Sequence, residues 1–440
     1  LDLNHGIYNY DGKTLWASIR VESPTLITGY RITNGWARTN YTYFAISLSQ
    51  PIKNYGYKDM QKILYNGFWR KFPVNKNFPE MAGRKVVSYF EFDTEESPEL
   101  EVKVALSATS TEGAVKNLMA EADGKSFDVI AREASEAWNK QLASIEVEGS
   151  EDQKAMVYTS YYHTMINPSV YMDVDGKYRG LDQNMHQADG FKNYTVFSLW
   201  DTYRNVHQLM TLVYPERQMD MIHTMMGMYK EHGWFPKWEL FGQETLTMEG
   251  DPAIPVLVDS WMKGLQDFDI NLAYKAMYKS ATTPGKDNLM RPDNDDYMAK
   301  GYVPMESQFD NSVSHALEYY VADYALSTLA EALDKKEDAK LFYKRSMGYK
   351  NYYCKDFGTL RPITKEGKFY EPFDPKQGEN FEPSPGFHEG NAWNYTFFVP
   401  HDIKGLTKLM GGNKKFVDKL QSVFDRGNYD PTNEPNIAYP

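Results

Sequence analysis

The spacing of apolar residues changes once along the chain, near residue 110, and this change restricts the possible folds more than any other feature. Before it, short runs alternate between apolar and polar residues and are rich in β-branched and aromatic side chains, as in strands that bury one face. These runs are TLWASIRV, TLITGYRI, NYTYFAISLS, RKVVSYFEF and LEVKVALSA, separated by turn residues such as NG, DG and SP. Residues 1–110 are therefore predicted to form an antiparallel β-sandwich domain.

After residue 110, apolar residues recur three and four positions apart, which places them on one face of a helix. Residues 111–150 are predicted to be a helical connector, with Thr111 and Ser126 as helix caps. Residues 151–440 contain helical patterns near 152–166, 196–213, 215–231, 253–265, 268–281, 311–333, 336–353 and 413–425. Antiparallel helices with long loops and no heptads indicate a toroid of helix pairs, so the chain is predicted to be an α+β multidomain protein.

Charge and composition exclude several classes of partner. The net charge is -12 and no basic run occurs, so a nucleic-acid partner is not expected. No apolar run approaches the roughly 20 residues that span a bilayer, and the single cysteine, Cys354, excludes an intramolecular disulfide. The first residues lack the pattern of a secretion signal, so any such signal is expected to be absent or removed. The 33 Tyr and 9 Trp suit either a surface that holds sugars or peptides, or simply a Tyr-rich fold.

Familiar metal and nucleotide motifs are missing from the sequence. It contains no HExxH, no cysteine pair, no GxGxxG and no GxSxG, and the acidic stretch RPDNDDYMAKG lacks the Gly and Glu of an EF-hand loop. The candidates that remain are carboxylates beside aromatic residues.

The stretch FHEGNAWNY places Glu389 before a helix predicted to start near Asn391. The carboxylate could compensate the helix dipole there. Alternatively, burial among Phe387, Trp393 and Tyr395 would raise the pKa of Glu389 and allow it to donate a proton near neutral pH.

The stretch SLWDTYR also has two interpretations. Asp201 and Arg204 are three residues apart and could form an ordinary pair on a helix. Alternatively, Trp200 forms a platform for a sugar and Asp201 accepts hydrogen bonds from vicinal hydroxyls.

Two further stretches are rich in polar groups. HGWFPKWELFGQETLTMEGDPA combines Trp234 and Trp238 with several carboxylates, which suits a binding loop, and Asp251 is predicted to be a helix N-cap. PTNEPNIAYP surrounds Glu434 with oxygen ligands that a calcium ion could use, although an ordinary Pro-rich loop explains it equally well.

These stretches occur in the order found in glycoside hydrolase family 92, the calcium-dependent exo-acting α-mannosidases, which the chain resembles along nearly its whole length. The segments that carry the resemblance are GYRITNGWA, YRGLD, SLWDTYR, HGWFPKW, MEGDPA, VDSWMKG, GYVP, SHALEYYVADYA, HEGNAWNYTFFVPHD and NEPNIAYP. Each is weak alone, but their common order is specific.

The resemblance implies a β-sandwich followed by an (α/α)6 barrel, with the active site between them. It implies that the protein trims terminal α-linked mannose from glycans such as N-glycans with inversion, that Glu389 is the general acid, and that Ca2+ assists mannose binding. The substrate-binding residues implied are Trp200, Asp201, Arg204, Trp36, His388, Asn391, Asn433 and Glu434, and Asn436 is the implied metal ligand. Asn433 stands where members with α-1,2 preference carry His, which argues against that linkage. A periplasmic or secreted location follows from the same resemblance.

Members of this family begin upstream of Leu1 and continue past Pro440, where a Gly-Asn-Asp-Asp type motif supplies the general base. Both domains are therefore expected to be incomplete here, and the 440-residue chain is expected to be inactive alone. A glycan-binding protein without catalysis, using the same aromatic cleft, is the alternative. Another toroidal carbohydrate enzyme, such as a phosphorylase or lyase, is disfavoured because the helical part lacks clustered cations. The oligomeric state is not predicted.

Overall fold

The computed structural model describes residues 1–6, 13–59, 77–95, 97–308, 311–378, 382–432 and 434–439. The chain divides into two compact units. The first unit contains Leu1–Val196 and Leu240–Thr245, and the second contains Phe197–Glu239 and Leu246–Pro440. The first unit is built mainly on antiparallel sheets and the second mainly on helices, which confirms the predicted α+β fold.

The first unit contains a five-stranded antiparallel sheet with the order β5-β1-β2-β3-β7, and a separate antiparallel pair of β4 with β6. These strands are β1 (Thr14–Ser23), β2 (Leu26–Thr33), β3 (Asn40–Leu48), β4 (Asn54–Asp59), β5 (Glu80–Gly83), β6 (Val86–Glu91) and β7 (Val102–Ser107). All five runs predicted to be strands from their alternation form strands, namely β1, β2, β3, β6 and β7.

The two sheets share one hydrophobic core. Ile19, Ile27 and Phe44 of the larger sheet pack in one cluster with Tyr57 of β4 and Val86 of β6. Because alternate residues of a strand point to opposite faces, this packing leaves the other face of the larger sheet to be covered separately. The predicted sandwich is thus present in the first unit.

Three helices follow the sheets: α1 (Thr111–Glu121), α2 (Phe127–Leu142) and α3 (Glu151–His163). The second face of the larger sheet is covered by α1, whose Ala114 and Leu118 pack with Ala45. Ser126 caps α2, as predicted, but α1 is capped by Ser110 and not by Thr111. The unit ends in short antiparallel pairs, in which β8 (Ser169–Val170) pairs with β11 (Tyr194–Thr195) and β9 (Lys177–Arg179) pairs with β10 (Met185–Gln187).

The second unit contains most of the helices. They are α4 (Leu199–Thr202), α5 (Val206–Val213), α6 (Pro215–His232), α7 (Ala253–Met262), α8 (Ile270–Thr282), α9 (Asn294–Lys300), α10 (Ser312–Ala332), α11 (Lys336–Ser346), α12 (Ala392–Tyr395), α13 (Ile403–Leu409) and α14 (Asn413–Asp425). Its short strands are β12 (Phe197–Ser198), β13 (Trp238–Glu239), β14 (Tyr353–Cys354) and β15 (Thr359–Leu360), and its 3-10 helices include Met347–Tyr352 and Glu434–Ala438. The helical pattern predicted near 152–166 is α3 of the first unit, and the patterns predicted from 196–213 onward correspond to helices of the second unit. The closed (α/α)6 toroid remains a prediction. Across the described ranges, no helix combines the length and apolar character needed to cross a bilayer.

The centre of the second unit is α10, which is buried around most of its circumference. It packs against α7, α8 and α11. A helix surrounded in this way is normally apolar all round, yet Ser314, His315, Glu318 and Asp323 of α10 are also buried. Buried polar groups need hydrogen-bond partners, so the loops that supply those partners are fixed against this helix.

We expect Ile19→Ala to destabilise the protein because Ile19 is fully buried between the two sheets. The expected loss of unfolding free energy is about 2–5 kcal/mol, seen as a lower midpoint in urea unfolding followed by far-UV circular dichroism. Leu15→Ala on the same strand is the control, because Leu15 is 42% exposed and its truncation should change stability by less than about 0.5 kcal/mol. Equal effects of the two changes would contradict the assigned core.

Candidate active site

The loop that carries Glu389 is attached to the first turn of α10. The carbonyl of Gly386 accepts hydrogen bonds from the backbone N–H groups of Val313 (2.9 Å) and Ser314 (3.2 Å). The hydroxyl oxygen of Ser314 accepts a further one from the backbone N–H of His388 at 2.9 Å. Gly386 has a φ of 86°, and a Cβ there would lie 2.5 Å from Pro362, so the loop requires glycine at this point. The loop that carries Glu389 is therefore held against the first turn of α10.

Glu389 itself has a φ of 49°, in the left-handed region that residues other than glycine rarely adopt. Such backbone conformations persist where the surrounding structure enforces them, often at functional sites. Here the enforcement comes from the attached loop before Glu389 and the helix α12 after it.

The prediction of a helix starting near Asn391 is confirmed by α12. Asn391 is its N-cap: the side-chain oxygen accepts hydrogen bonds from the N–H groups of Trp393 (2.9 Å) and Asn394 (3.3 Å). Its backbone N–H donates in return to the Asn394 side chain at 2.8 Å, which completes a capping box. Asn391 is buried and its side-chain oxygen is engaged in the cap, so it has a structural role, and its implied role in substrate binding stays a prediction.

The Glu389 side chain is partly buried, with 29% of it exposed. Burial raises the pKa of this carboxyl above its ordinary value, His388 opposes the rise, and the charge of Glu434 adds to it. The neighbouring Phe387 and Tyr395 are fully buried, as the proton-donor interpretation requires. The environment of Glu389 is therefore that of a carboxyl that keeps its proton to a higher pH than usual.

Asp201 and Glu434 form a pair of acidic side chains. Burial, together with a hydrogen bond to Glu434 and the charge of that group, raises the pKa of Asp201 to about 7, against the opposing charge of Arg204. Ser198 donates a hydrogen bond to the same Asp201 carboxyl. Two carboxyls in contact cannot both be charged at low energetic cost, so one of them retains a proton. Since Glu389 also raises the pKa of Asp201, the structure brings three of the predicted site residues together.

Arg204 does not form the helical pair with Asp201 that one interpretation predicted. Its guanidinium donates to Glu318 of α10 at 2.7 Å and to the carbonyl of Trp200 at 3.1 Å. It also lies over the ring of Trp200, 4.8 Å from the centroid. Both side chains are buried, so Trp200 is not an open platform for a sugar and Arg204 acts as a support beneath Asp201.

His388 lies between two carboxylates. Its Nε2 is 3.8 Å from Oε1 of Glu389, and its Nδ1 is 3.3 Å from Oε1 of Glu249. Glu249 is buried and belongs to the MEGDPA stretch, whose carboxylates the sequence could not assign individually. The one signal that the sequence offers is that Gly250 follows Glu249. In the structure Gly250 has a φ of 78° and a Cβ there would lie 2.4 Å from Glu318, so the loop requires glycine where it meets α10.

The predicted N-cap role of Asp251 is wrong. No side chain caps α7, and Asp251 instead pairs with Arg291 at 3.3 Å. Arg291 also binds Asp323 of α10 at 2.8 Å. Asp251 is therefore part of a network of buried ion pairs in the interior of the second unit.

Asn436 fits the implied role of a calcium ligand. It is fully buried, its Nδ2 donates to the carbonyl of Asp430 at 2.9 Å, and its Oδ1 has no hydrogen-bond partner within the described part of the chain. A buried amide oxygen without a partner is the type of ligand that Ca2+ prefers. Asn433, which the sequence also assigned to this site, lies outside the described residues.

Trp36 belongs to the first unit, in the loop between β2 and β3. It is 60% exposed and lines a cavity of about 210 Å³ together with Asn34, Asn40 and Phe241. An exposed indole beside carboxamides is suited to stacking against a sugar ring.

A further cavity, of about 590 Å³, lies in the second unit. Glu434 and Arg204 line it, but most of its wall is apolar and includes Met262, Phe398 and Ile437. Asp201 and Glu389 are not among its lining residues, so we do not place the reacting bond there.

Comparison with known proteins places the chain in a class of carbohydrate-cleaving enzymes. Residues 1–107 match the glycosyl hydrolase family 92 N-terminal domain and residues 113–440 match the glycosyl hydrolase family 92 catalytic domain. The protein belongs to glycosyl hydrolase family 92.

Solved structures agree with this assignment. A family GH92 α-mannosidase from Bacteroides thetaiotaomicron, also solved in complex with mannoimidazole, is 32% identical, with a TM-score of 0.85 over 96% of this chain and 56% of its own. A GH92 inverting mannosidase from the same organism is 28% identical, with a TM-score of 0.84 over 97% of this chain and 57% of its own. An uncharacterized secreted glycosidase of Arthroderma benhamiae is 24% identical over 80% of this chain and 46% of its own length. The chain thus spans about half the length of these relatives.

The raised pKa of Asp201 predicts a pH-dependent stability. With a pKa of about 7 when folded and 3.8 ordinarily, Asp201 keeps its proton in the folded state between these values, whereas the unfolded chain loses it. Stability contributed by this group therefore falls as the pH rises from about 4 to about 7. We expect the unfolding free energy of wild type, relative to that of Asp201→Asn, to decrease between about pH 4.5 and about pH 7.5 in urea titrations.

The control for this measurement is Asp402→Asn. Burial raises the pKa of Asp402, but a hydrogen bond from Tyr349 and other contacts outweigh it and lower the pKa below its ordinary value. Asp402 is then ionised in both folded and unfolded states above about pH 4.5, so its difference from wild type should stay constant over the same range. A constant difference for Asp201→Asn as well would show that Asp201 titrates normally.

Proposed function

We propose that the protein is an exo-acting α-mannosidase that hydrolyses terminal α-linked mannose from glycans with inversion. The observation that carries this proposal is the partly buried Glu389 carboxyl, fixed at the start of α10 with a raised pKa. Membership of family 92 supports it, since two solved relatives are named α-mannosidase and inverting mannosidase.

Glu389 is assigned as the general acid. A carboxyl that keeps its proton near neutral pH can donate it to the glycosidic oxygen as the bond to mannose breaks. The attached loop holds the acid in place, so its orientation does not depend on substrate binding.

Asp201 and Glu434 are assigned to sugar binding. The protonated Asp201 provides one donor and the carboxyl oxygens of both residues are acceptors, which suits the vicinal hydroxyls of a terminal mannose. Trp200 and Arg204 support Asp201 from beneath, and the exposed Trp36 is proposed as a stacking surface. Inversion also requires a carboxylate that activates water from the opposite face of the sugar; we give that role to none of these three acids.

Asn436 is proposed to hold a calcium ion through its unpaired Oδ1. When bound, calcium would supply a positive charge that holds hydroxyl oxygens of mannose and stabilises charge that develops in the reaction. Location outside the cytoplasm, periplasmic or secreted, is proposed from the resemblance and from the secreted glycosidase among the relatives.

Glu389→Gln should lower kcat on a mannobioside by about 10²- to 10⁴-fold because the amide cannot donate the proton that the leaving oxygen needs. Mannose affinity, measured by calorimetry, should remain near wild type because the loop is attached to α10 through its backbone groups. Glu366→Gln is the control: Glu366 is exposed, pairs with Lys368, and should leave turnover unchanged. A wild-type protein that binds mannose without releasing it would favour a glycan-binding protein instead.

Mannose release from α-1,2-, α-1,3-, α-1,4- and α-1,6-linked mannobiosides should depend on calcium. In the full-length gene product we expect release from at least one linkage, its loss in chelator, and its recovery on adding Ca2+. Because Asn433 argues against α-1,2 preference, another linkage should be cleaved fastest. Activity unchanged by chelator would overturn the calcium assignment, and fastest cleavage of the α-1,2 linkage would overturn the interpretation of Asn433.

A further inference from the structure

The main chain of His388 is held at both of its polar groups. Its N–H donates to the hydroxyl oxygen of Ser314 at 2.9 Å, and its carbonyl accepts a hydrogen bond from the Tyr395 hydroxyl at 2.7 Å. Ser314 lies in the first turn of α10, whereas Tyr395 is the last residue of α12. The first hydrogen bond therefore attaches the loop to α10, and the second attaches it to the helix that follows Glu389.

Tyr395 is itself fixed in the interior of the second unit. Its side chain is fully buried, and its ring centroid lies 5.7 Å from that of Phe387. Burial raises the pKa of Tyr395, so the hydroxyl keeps the proton that it donates. The capping box of Asn391 and Asn394 fixes the start of the same short helix. The Tyr395 hydroxyl is thus a hydrogen-bond donor with a fixed position.

The carbonyl of His388 belongs to the peptide bond that leads into Glu389. The φ of Glu389, 49°, is the rotation about its N–Cα bond, so a change in this angle turns the Glu389 side chain relative to that peptide. Residues other than glycine keep a positive φ only where the surrounding structure enforces it. Glu389 and Gly390 alone separate His388 from the Asn391 cap. The hydrogen bond from Tyr395 is therefore placed to hold the strained φ.

We propose that Tyr395 is a positioning residue for the general acid: its hydroxyl holds the peptide that precedes Glu389, so that the Glu389 backbone stays in the left-handed region and the carboxyl keeps one direction. This inference rests on the proposed function of Glu389. Tyr395 acts through Glu389 and not on the substrate. The proposal concerns the main chain of His388, and the implied role of its side chain in substrate binding stays a prediction.

The test compares two substrates of the full-length protein that differ in their need for a proton. A mannobioside has a sugar leaving group that must be protonated, whereas 2,4-dinitrophenyl α-mannoside releases a phenolate that leaves without help. Tyr395→Phe removes the donor and keeps the ring. It should lower kcat on the preferred mannobioside by at least about fivefold, with KM changed by less than about threefold. On the dinitrophenyl substrate it should lower kcat by less than about threefold.

A double variant tests whether Tyr395 acts through the acid. Once Glu389→Gln has removed the proton donor, adding Tyr395→Phe should lower kcat on the mannobioside by less than about twofold more. A full second loss, equal to that of Tyr395→Phe in the wild-type background, would overturn the proposal.

Tyr320→Phe is the matched control. Tyr320 is also fully buried, and its hydroxyl also donates to a backbone carbonyl, that of Gly301, at 2.7 Å. This change should leave the ratio of the two rates unchanged even if it lowers stability. Ser314→Ala releases the N–H of His388 and should shift the ratio in the same direction as Tyr395→Phe, so it serves as the test if Tyr395→Phe folds poorly.

The remaining outcomes separate the inference from the proposed function. Equal losses on both substrates in Tyr395→Phe would show a merely structural role, and an unchanged ratio would show that the hydrogen bond does not position the acid. Either result would overturn the inference while the mannosidase activity stands. A wild-type protein that cleaves neither substrate would overturn the proposed function and the inference together.

Discussion

The structure of the second unit depends on the hydrogen bonds that satisfy polar side chains of the buried helix α10. Three residues within five positions of α10 each bind a different segment of the site: Ser314 binds the backbone of His388, His315 binds Glu249, and Glu318 binds Arg204. Leaving any of these groups unpaired in the interior would cost about 1–3 kcal/mol. The loops that carry the acidic residues are therefore held in place by the same hydrogen bonds that make the helix stable.

This arrangement also explains why the pKa values of Glu389 and Asp201 are raised. A helix core that excludes water penalises the charged form of any carboxyl beside it, and the pKa of Glu389 and of Asp201 rises mainly for that reason. The basic residue nearest to Asp201, Arg204, is already paired with Glu318 and only partly opposes the effect. A unit built in this way raises the pKa of a carboxyl beside the helix even though His388 and Arg204 act in the opposite direction.

Much of the fold could be predicted because local patterns decide it. The strands β1, β2 and β3 follow from alternation of apolar and polar residues, and α12 follows from the apolar pattern after Gly390. The acidic residue Glu389 could be identified because it stands alone in a Gly- and aromatic-rich stretch. The sequence did not show that Asn391 caps α12, that Trp200 is buried or that Asp251 pairs with Arg291. Each of these residue types can serve either as a ligand or in the protein interior, and only its partners distinguish the two.

The sequence by itself determined the order of a sheet domain before a helical domain, the family, and the identity of the candidate acid, because these depend on periodicity and on residue types in a fixed order. The tertiary structure alone decided that Arg204 binds Glu318, that Asp201 meets Glu434, and that Glu249 meets His388. These partners are 114 to 233 positions apart in the sequence and meet because the chain folds back on α10 and its loops. No spacing rule in the sequence records such contacts. Burial and the pairing of charges are properties of the packed interior, so the protonation of the site is decided there.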